Sequence, residues 1–387
     1  MINFPASRLT SIAPFHVMEL LARAKTLEAA GRDIIHMEVG EPDFPTPAPI
    51  VSAAQAHLAS GRVFYTPALG LPALRQAIAD FYQQRYQVSV AAERVVVTAG
   101  ASAALLLAMA CLCSPGSEWL LSDPGYPCNA NFVRCFEGVP IYVRVRETEN
   151  FQPTRESIAA HWNDRTAGVL VASPANPTGT LLAQPTMASI ADYVRQQASQ
   201  MIVDEIYHGL TYDGDATTAL QHGDDLWIVQ SFSKYFNMTG WRLGWLVVPA
   251  ERVRDIEKLA QNLYIAPSTP AQHAALAAFA SETITILEER RAAFRQRRDF
   301  LAPALQQLGF RLTAKPEGAF YLYADCRALC ADSAIFAHEL LEAAGVAVTP
   351  GLDFGVNEPQ HYLRFAYTTD LARLAEAVER VRRFLSG

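Results

Sequence analysis

One lysine in this sequence lies where covalent chemistry is possible. The chain has 4 lysines and 28 arginines, and Lys234 directly follows the segment LWIVQSFS, which begins with an apolar run. Burial beside other cations lowers the pKa of a lysine amine, because the charged form loses its hydration. A neutral amine can form a Schiff base with an aldehyde. A lysine after a strand is more often a solvated charge, so Lys234 alone does not indicate a site.

Three other segments have the residue types that bind a phosphate group. Gly100-Ala101-Ser102 stands at the start of an apolar helical stretch, where backbone N–H groups and the helix dipole favour an anion. Ser231 adds a hydroxyl donor, and Arg242 adds a planar guanidinium that can bind two phosphate oxygens. As alternatives, the first segment could be an ordinary helix start, and Arg242 could pair with a surface carboxylate.

Four residues could surround an aromatic ring that carries a nitrogen and an oxygen. Asp204 ends the apolar run MIV, and its buried carboxylate would be satisfied by a protonated ring nitrogen or by a buried arginine. Tyr207 and Asn176 could both reach a phenolic oxygen on that ring, and Tyr126 offers a flat face for stacking. Together with an aldehyde for Lys234 and a phosphate group, these residues specify pyridoxal 5′-phosphate.

All of these residues follow segments that are predicted to be strands of one sheet. Five apolar runs each lead into a turn rich in Gly, Pro, Ser or Asn: RVVVTAGAS from Arg94, EWLLSDPGYP from Glu118, AGVLVASPANPTG from Ala167, QMIVDEIY from Gln200 and LWIVQSFSK from Leu226. Helical stretches at 101–112 and 183–197 alternate with them. The alternation predicts a large α/β domain with a doubly wound, mostly parallel sheet. Ligands bind such sheets outside the carboxyl ends of the strands.

The two ends of the chain predict a second, smaller α+β domain. Residues 286–387 contain a charged helix, the strand AFYLYAD, the helix AIFAHELLEAAG, the short strand VAVTPG, the strand HYLRFAYT and a last helix. The N-terminal segment has a helix ended by Gly31 and a short strand, IIHMEVG, that could join either domain. We predict an N-terminal arm and part of the small domain at 1–45, a large cofactor-binding domain at 46–285 and a small C-terminal domain at 286–387. The Arg-rich stretch Glu289–Arg298 is expected to be the solvated face of its helix.

Composition and charge exclude several classes of protein. Half of the 387 residues are hydrophobic, which excludes a disordered or fibrous protein. The net charge is −7 and no basic run is present, so no nucleic-acid partner is expected. The N-terminus has no signal-like pattern, and the longest apolar run, Ala103–Cys113, is too short to span a bilayer. The six cysteines lack zinc-like spacing and are expected to be free thiols. We therefore predict a cytoplasmic protein with no membrane partner and no metal.

A series of motifs runs through nearly the whole chain, from about Ser11 to Phe384. They are GEPDFPTP at Gly40, YTPALGLPALRQAIA at Tyr65, TAGASAAL at Thr98, DPGYP at Asp123, SPANPTG at Ser173, VDEIYHGLTYDG at Val203, SFSKYFNMTGWRLGW at Ser231, PEGAFYLYAD at Pro316 and YLRFAY at Tyr362. In order and spacing the chain resembles the class I/II aminotransferases, the fold-type-I family of pyridoxal-phosphate enzymes.

The resemblance implies a ping-pong transfer of an amino group between an L-amino acid and a 2-oxo acid. Lys234 would form an aldimine with pyridoxal 5′-phosphate and act as the general base and acid. The implied cofactor contacts are Asp204 at the pyridine nitrogen, Tyr207 and Asn176 at the ring oxygen, Tyr126 on the ring face, and Ala101, Ser102, Ser231 and Arg242 around the phosphate. Arg364 would bind the substrate carboxylate, with Asn176 and the N–H of Gly40. Tyr65 would reach the phosphate in the neighbouring subunit, which implies a homodimer.

The motifs leave the substrate and part of the chemistry open. No arginine lies between Arg254 and Arg290, and the loop NLYIAPSTP, which in relatives approaches the partner's active site, offers hydroxyl groups instead. A second cation for a dicarboxylic substrate could still come from the N-terminal segment or Lys25. The sequence favours a neutral or apolar amino acid, with glutamate or alanine as its counterpart. A C–S lyase or a decarboxylase on the same scaffold is the alternative activity.

A ligand-sensing transcription regulator is a further class that uses this scaffold. Such regulators carry a DNA-binding domain before it, and about 13 residues precede the first family-like helix here. We therefore predict an enzyme.

Overall fold

The computed structural model describes residues 6–12, 14–214 and 216–387. In these ranges the helices are α1 (His16–Ala29), α2 (Ala48–Ala59), α3 (Pro72–Tyr86), α4 (Ala101–Leu112), α5 (Cys128–Cys135), α6 (Arg155–Ala159), α7 (Gln184–Gln196), α8 (Val253–Leu263), α9 (Thr269–Leu276), α10 (Ser281–Gln307), α11 (Ser333–Ala344) and α12 (Leu371–Leu385). The strands are β1 (Ile35–His36), β2 (Val95–Thr98), β3 (Glu118–Asp123), β4 (Val139–Arg144), β5 (Thr166–Ala172), β6 (Gln200–Asp204), β7 (Trp227–Ser231), β8 (Gly244–Val247), β9 (Tyr321–Asp325), β10 (Val346–Ala347), β11 (Thr349–Pro350) and β12 (Tyr362–Ala366). None of these helices is both long enough and apolar enough to cross a lipid bilayer.

The large sheet has seven strands in the order β2-β8-β7-β6-β5-β3-β4. Strands β7, β6, β5, β3 and β4 pair in parallel, whereas β8 runs antiparallel to both of its neighbours, β7 and β2. The predicted α/β class with a mostly parallel sheet is therefore confirmed. All five apolar runs form strands of this sheet, and the two remaining strands, β4 and β8, were not predicted.

Helices cover both faces of the large sheet, as continuously apolar strands require. Successive residues of a strand point to opposite faces. Val95 and Val97 accordingly belong to one hydrophobic cluster and Val96 to another. Residues of α3, α7 and α9 fill the first cluster, and residues of α4, α5 and α8 fill the second. This double layer makes the sheet a rigid support for the residues at its edge.

The remaining strands, β1 and β9 to β12, belong to the smaller α+β part of the molecule. Strand β1 pairs in parallel with β10, so IIHMEVG joins the C-terminal elements. The segment VAVTPG, predicted to be one strand, forms two: β10 pairs with β1, and β11 pairs with β12 in a three-stranded antiparallel sheet with β9. The chain thus changes sheets within this segment.

The Arg-rich stretch of α10 is not the solvated face that the sequence predicted. Arg297 and Arg298 are only 5% and 7% exposed. Arg297 donates two hydrogen bonds to Asp43, at 2.7 and 2.9 Å, and Arg298 donates to Asp213 at 3.1 and 3.3 Å. The prediction was wrong because loops from distant parts of the chain cover this side of α10 and supply the carboxylates.

Candidate active site

A cavity of about 420 Å³ lies at the carboxyl ends of the large sheet's strands. Eleven of the twelve predicted site residues line it: Gly40, Ala101, Ser102, Tyr126, Asn176, Asp204, Tyr207, Ser231, Lys234, Arg242 and Arg364. Tyr65 does not, and its side chain is 82% exposed. The order of the strands thus brings together residues that are far apart in the sequence.

Two glycines let the start of α4 approach the end of β7. Gly100 has φ +84°, which lets the chain turn from β2 into α4, and a Cβ there would lie 2.7 Å from the Arg242 guanidinium. On β8, Gly244 pairs with Thr98 on one side and Ser231 on the other. A Cβ at Gly244 would lie 2.6 Å from the carbonyl oxygen of Gln230 on β7 and 2.9 Å from the carbonyl carbon of Gly100. Close backbone packing therefore places the first turn of α4 beside Ser231.

This corner of the cavity has the donors that an anion needs. The free N–H groups of the first turn of α4 and the Ser102 side chain lie on one side. Arg242, oriented by a hydrogen bond from Nη1 to the Thr239 carbonyl at 2.9 Å, lies beside them. Ser233 also lines the cavity, and its N–H donates to the Ser231 hydroxyl at 3.0 Å. The corner therefore suits a phosphate group.

The amine of Lys234 lies among groups that lower its affinity for a proton. It donates to the Gly40 carbonyl at 2.6 Å and lies 5.8 Å from the centre of the Tyr207 ring. Burial, followed by the nearby Arg364, lowers the pKa of Lys234 to about 8, although Asp204 acts in the opposite direction. The amine can therefore accept and release a proton near neutral pH.

Asp204 presents a buried carboxylate without a cation in direct contact. It is 4% exposed, and its Oδ1 accepts a hydrogen bond from the Ile206 N–H at 3.1 Å. Burial raises the pKa of Asp204 to about 6. A protonated ring nitrogen would supply the positive charge that this position lacks.

Arg364 lines the cavity and is held by three hydrogen bonds. It is 4% exposed, and its Nη1 donates to the Asn176 side chain at 2.9 Å. Its Nη2 donates to the Glu38 carbonyl at 2.5 Å and to the Thr349 hydroxyl at 3.2 Å. The Nε has no partner within the described residues, and only three of the five guanidinium N–H groups are used in these contacts, so the guanidinium keeps donors for a ligand.

The structure adds residues that the sequence analysis did not assign. Tyr321 lines the cavity, and its hydroxyl lies 2.8 Å from that of Tyr207. Ser233 lies at the corner of the cavity that suits a phosphate group. The Glu38 carbonyl accepts a hydrogen bond from Arg364. Tyr321 and Ser233 lie within the quoted motifs PEGAFYLYAD and SFSK, so the motifs were the available signal. The contact of Glu38 is made by its backbone and leaves no sequence signal.

The residues around the cavity fit pyridoxal 5′-phosphate. The α4 corner can hold its phosphate, Asp204 its ring nitrogen, and Tyr207 with Asn176 its ring oxygen. Tyr126 lines the same space and can stack on the ring. Lys234 lines the same cavity, so its amine could react with the aldehyde group of the cofactor.

Comparisons with known proteins agree with this interpretation. The family model for aminotransferase class I and II matches residues 32–381. The chain is 35% identical over 376 residues to a valine–pyruvate aminotransferase of Mycobacterium tuberculosis, with 97% of each chain covered. It is 32% identical over 383 residues to an aspartate aminotransferase of Thermotoga maritima, covering 98% of this chain and 99% of that one. A solved aminotransferase structure from Mycobacterium tuberculosis matches with a TM-score of 0.96 and 35% identity, with 99% of each chain covered.

These matches span nearly the whole chain and all concern amino transfer, so the alternative of a C–S lyase or decarboxylase is not favoured. The chain therefore belongs to the class I and II aminotransferases and is a pyridoxal 5′-phosphate-dependent enzyme that transfers an amino group between an amino acid and a 2-oxo acid.

Proposed function

We propose that this aminotransferase acts on amino acids with neutral or apolar side chains and that Lys234 is its catalytic base. The observation that carries the proposal is the charge content of the cavity. Among the described residues that line it, the cations are Lys234, Arg242 and Arg364. Each of the three has a role that every substrate of the enzyme requires, so none is left to bind a second carboxylate of the substrate.

The three cations divide the ligands between them. Arg242, with Ser102, Ser231 and the N–H groups of the first turn of α4, holds the phosphate. Arg364 binds the α-carboxylate of the substrate bidentately with the donors that its protein contacts leave free, and the N–H of Gly40 assists. Lys234 then faces the α-carbon, from which it removes a proton that it later returns.

The ring contacts set the chemistry at the α-carbon. When bound, pyridoxal 5′-phosphate withdraws electrons from the substrate and carries the amino group between the two half-reactions. Asp204 keeps a proton on the ring nitrogen. Tyr207 and Asn176 donate to the ring oxygen, and Tyr126 stacks on the ring and excludes water from that face.

Several apolar side chains also line the cavity. They come from α1 and its preceding turn, from α4 and from the segment after β6: Phe15, Val17, Met18, Leu105 and Ile206. A second carboxylate among them would be desolvated without a counter-ion, which is costly. One of the two relatives is named for valine and pyruvate, and the other is named for aspartate. Because the names differ, the proposed substrate class rests on the residues of the cavity.

A homodimer completes the site in this proposal. Phe64 and Tyr65 are 71% and 82% exposed, and Leu263 and Ile265, at the end of α8 and just after it, are 58% and 51% exposed. A hydrogen bond from the hydroxyl of Thr269, the first residue of α9, to the Phe64 carbonyl at 2.7 Å joins the two regions. This joint apolar surface would be covered by a second copy, and Tyr65 would reach the phosphate in that copy's site.

Two further predictions accompany the proposed activity. The free state of all six cysteines supports a reducing, cytoplasmic location. The separate sheets support the division into an arm at 1–45, a large domain at 46–285 and a small domain at 286–387.

The proposal is tested by adding single L-amino acids, without any oxo acid, to the cofactor-loaded protein. Valine, leucine or alanine should remove the visible absorption of the bound cofactor and release about one oxo acid per site. Aspartate should react at least about 10-fold less efficiently, because its second carboxylate finds no cation. A preference for aspartate would contradict the substrate class, and release of carbon dioxide or ammonia with the absorption unchanged would contradict amino transfer.

A further inference from the structure

Tyr321 contacts three groups of the site at once. It is the first residue of β9 and is 1% exposed. Its hydroxyl lies 2.8 Å from the Tyr207 hydroxyl, and its ring centre lies 4.3 Å from the Arg364 guanidinium carbon. A Cβ on Gly40 would lie 1.8 Å from the same hydroxyl, so the two are in close contact. Tyr321 therefore joins the small sheet to a residue that follows β6 of the large sheet.

The proton count at Tyr207 fixes the direction of its hydrogen bond with Tyr321. A phenol has one proton to donate and can also accept. If Tyr207 donates to the ring oxygen, as the proposed function has it, its proton is used there. The hydrogen bond at 2.8 Å must then run from the Tyr321 hydroxyl to the Tyr207 oxygen.

We propose that Tyr321 is a positioning residue that acts through Tyr207: it donates to the Tyr207 hydroxyl and so strengthens the hydrogen bond from Tyr207 to the ring oxygen. The inference rests on the proposed function of Tyr207. Hydrogen bonds in a chain polarise one another, so a phenol that accepts one bond is a better donor in the next. The site is buried, where such an effect is not screened by water.

A stronger bond to the ring oxygen has a measurable consequence. It stabilises negative charge on that oxygen, so the loaded site loses its proton at a lower pH. Removing the Tyr321 hydroxyl should therefore raise the pH midpoint of the visible absorption change of the loaded protein. We expect a rise of about 0.3 pH unit for Tyr321→Phe and about 1 to 2 pH units for Tyr207→Phe.

The experiment is a spectroscopic pH titration of the cofactor-loaded protein and four variants, and it does not depend on turnover. The variants are Tyr321→Phe, Tyr207→Phe, the double variant and Tyr323→Phe. Phenylalanine at 321 keeps the ring that packs on Arg364 and removes the hydroxyl alone. Tyr323 is the matched control, because it lies on the same strand and is 6% exposed but does not line the cavity.

The double variant separates action through Tyr207 from any other action. If the inference is correct, Tyr321→Phe raises the midpoint in the wild-type background and changes nothing when Tyr207 is already Phe. An unchanged midpoint in Tyr321→Phe, beside a shifted one in Tyr207→Phe, would overturn the inference and leave the proposed role of Tyr207 intact. An equal shift in both backgrounds would show a direct action of Tyr321 and also overturn it. No shift in Tyr207→Phe would contradict the proposed function itself.

Discussion

Two neighbouring acids at the end of β6 are buried with little to compensate a negative charge. Asp204 is 4% exposed, and Glu205, at 1%, accepts hydrogen bonds from the Thr218 hydroxyl and the Ala219 N–H. Burial raises the pKa of Asp204 to about 6 and that of Glu205 to about 8. Burial outweighs the partners of both residues, so each holds its proton to a higher pH than in the unfolded chain, which makes the stability of the cofactor-free protein depend on pH.

The sign of this effect follows from the unfolded chain. There the pKa of an aspartate is about 3.9, so above that pH the unfolded state releases a proton that the folded state still holds. The contribution of Asp204 to stability therefore falls as the pH rises from about 4 through its folded pKa, about 6, and levels off above it.

Asp204→Asn should remove this dependence from the cofactor-free protein. Between pH 5 and pH 8 the free energy of unfolding of the wild type should fall by about 1.4 kcal/mol relative to the variant. Denaturant unfolding at the two pH values measures the difference. A constant offset between the two proteins would show that Asp204 is already ionised at pH 5.

Lys234→Ala should lower the rate of amino transfer by at least about 10³-fold, because no other amine lines the described cavity. The protein should stay folded, since the lysine contributes one hydrogen bond to Gly40 and no core packing. Lys258→Ala is the control, because that lysine is exposed and pairs with Asp255 on α8. Turnover near the wild-type rate in Lys234→Ala would exclude the proposed role.

At the scale of elements, helix α1 is capped from the other end of the chain. The Asp353 carboxylate accepts hydrogen bonds from the N–H groups of His16 and Val17 at 2.9 and 2.8 Å. Val17 and Met18 line the cavity, so this cap holds in place the part of α1 that borders the cavity. The neighbouring Phe354 packs on the Arg364 guanidinium at 4.8 Å. One short segment thus supports two sides of the substrate site.

Asp353→Ala should loosen the first turn of α1 and weaken substrate binding. We expect a loss of about 1–2 kcal/mol in stability and faster hydrogen exchange at residues 16–20, with KM raised more than kcat is lowered. Asp370→Ala is the matched control, because Asp370 caps α12 through the Arg373 N–H at 2.9 Å and α12 does not line the cavity. Unchanged exchange in α1 would mean that packing alone holds it.

Local pattern predicted the elements well where burial is uniform. The five runs with continuous apolar residues all became strands, and the stretch 101–112 is helix α4 to the residue. Strand β4 was missed because it contains Pro140 and is only partly buried, as an edge strand is. Strand β8 was missed because it follows β7 without an α-helix between them and pairs antiparallel, which departs from the alternation of strands and helices used for the prediction.

The site was predictable to the extent that its residues follow those strands. Eight of the eleven predicted residues that line the cavity follow strands of the large sheet, whose carboxyl ends meet at one edge, whereas Gly40, Arg242 and Arg364 come from other segments. Tyr321 was not assigned, because its contact with Tyr207 spans 114 residues and arises from packing of the small sheet on the large one. The ion pairs of Arg297 and Arg298 were not predicted either, because their partners Asp43 and Asp213 are distant in the sequence.

At the scale of the whole molecule, the exposed Tyr65 predicts that two subunits share each active site. Tyr65→Phe should lower activity about 10-fold, because a hydrogen bond to the phosphate is lost. When this variant is co-expressed with Lys234→Ala, half of the dimers should be mixed. In each mixed dimer, one site has its own Lys234 and the partner's intact tyrosine.

Random pairing therefore restores about a quarter of the wild-type activity. If Tyr65 served its own subunit, the same mixture would retain only about one twentieth. Activity measured on the co-expressed protein distinguishes the two values. The control is an equal mixture of the separately purified variants, assayed at once before subunits exchange, which should retain about one twentieth.

The chain between β1 and α2 holds two of the cavity's cations, Arg364 and Lys234, through its backbone. The Glu38 carbonyl accepts from Arg364, the Val39 carbonyl accepts from the Thr368 hydroxyl at 3.4 Å, and the Gly40 carbonyl accepts from Lys234. Every amino acid carries a backbone carbonyl, so substitution cannot remove these acceptors. Selection on this stretch therefore acts on the backbone conformation that places the carbonyls. A saturation library should accordingly accept many residues at position 39 and reject all side chains at position 40, where a Cβ would meet the Tyr321 hydroxyl at 1.8 Å. Sequence drift in this part of the active site is therefore limited by space and not by chemistry.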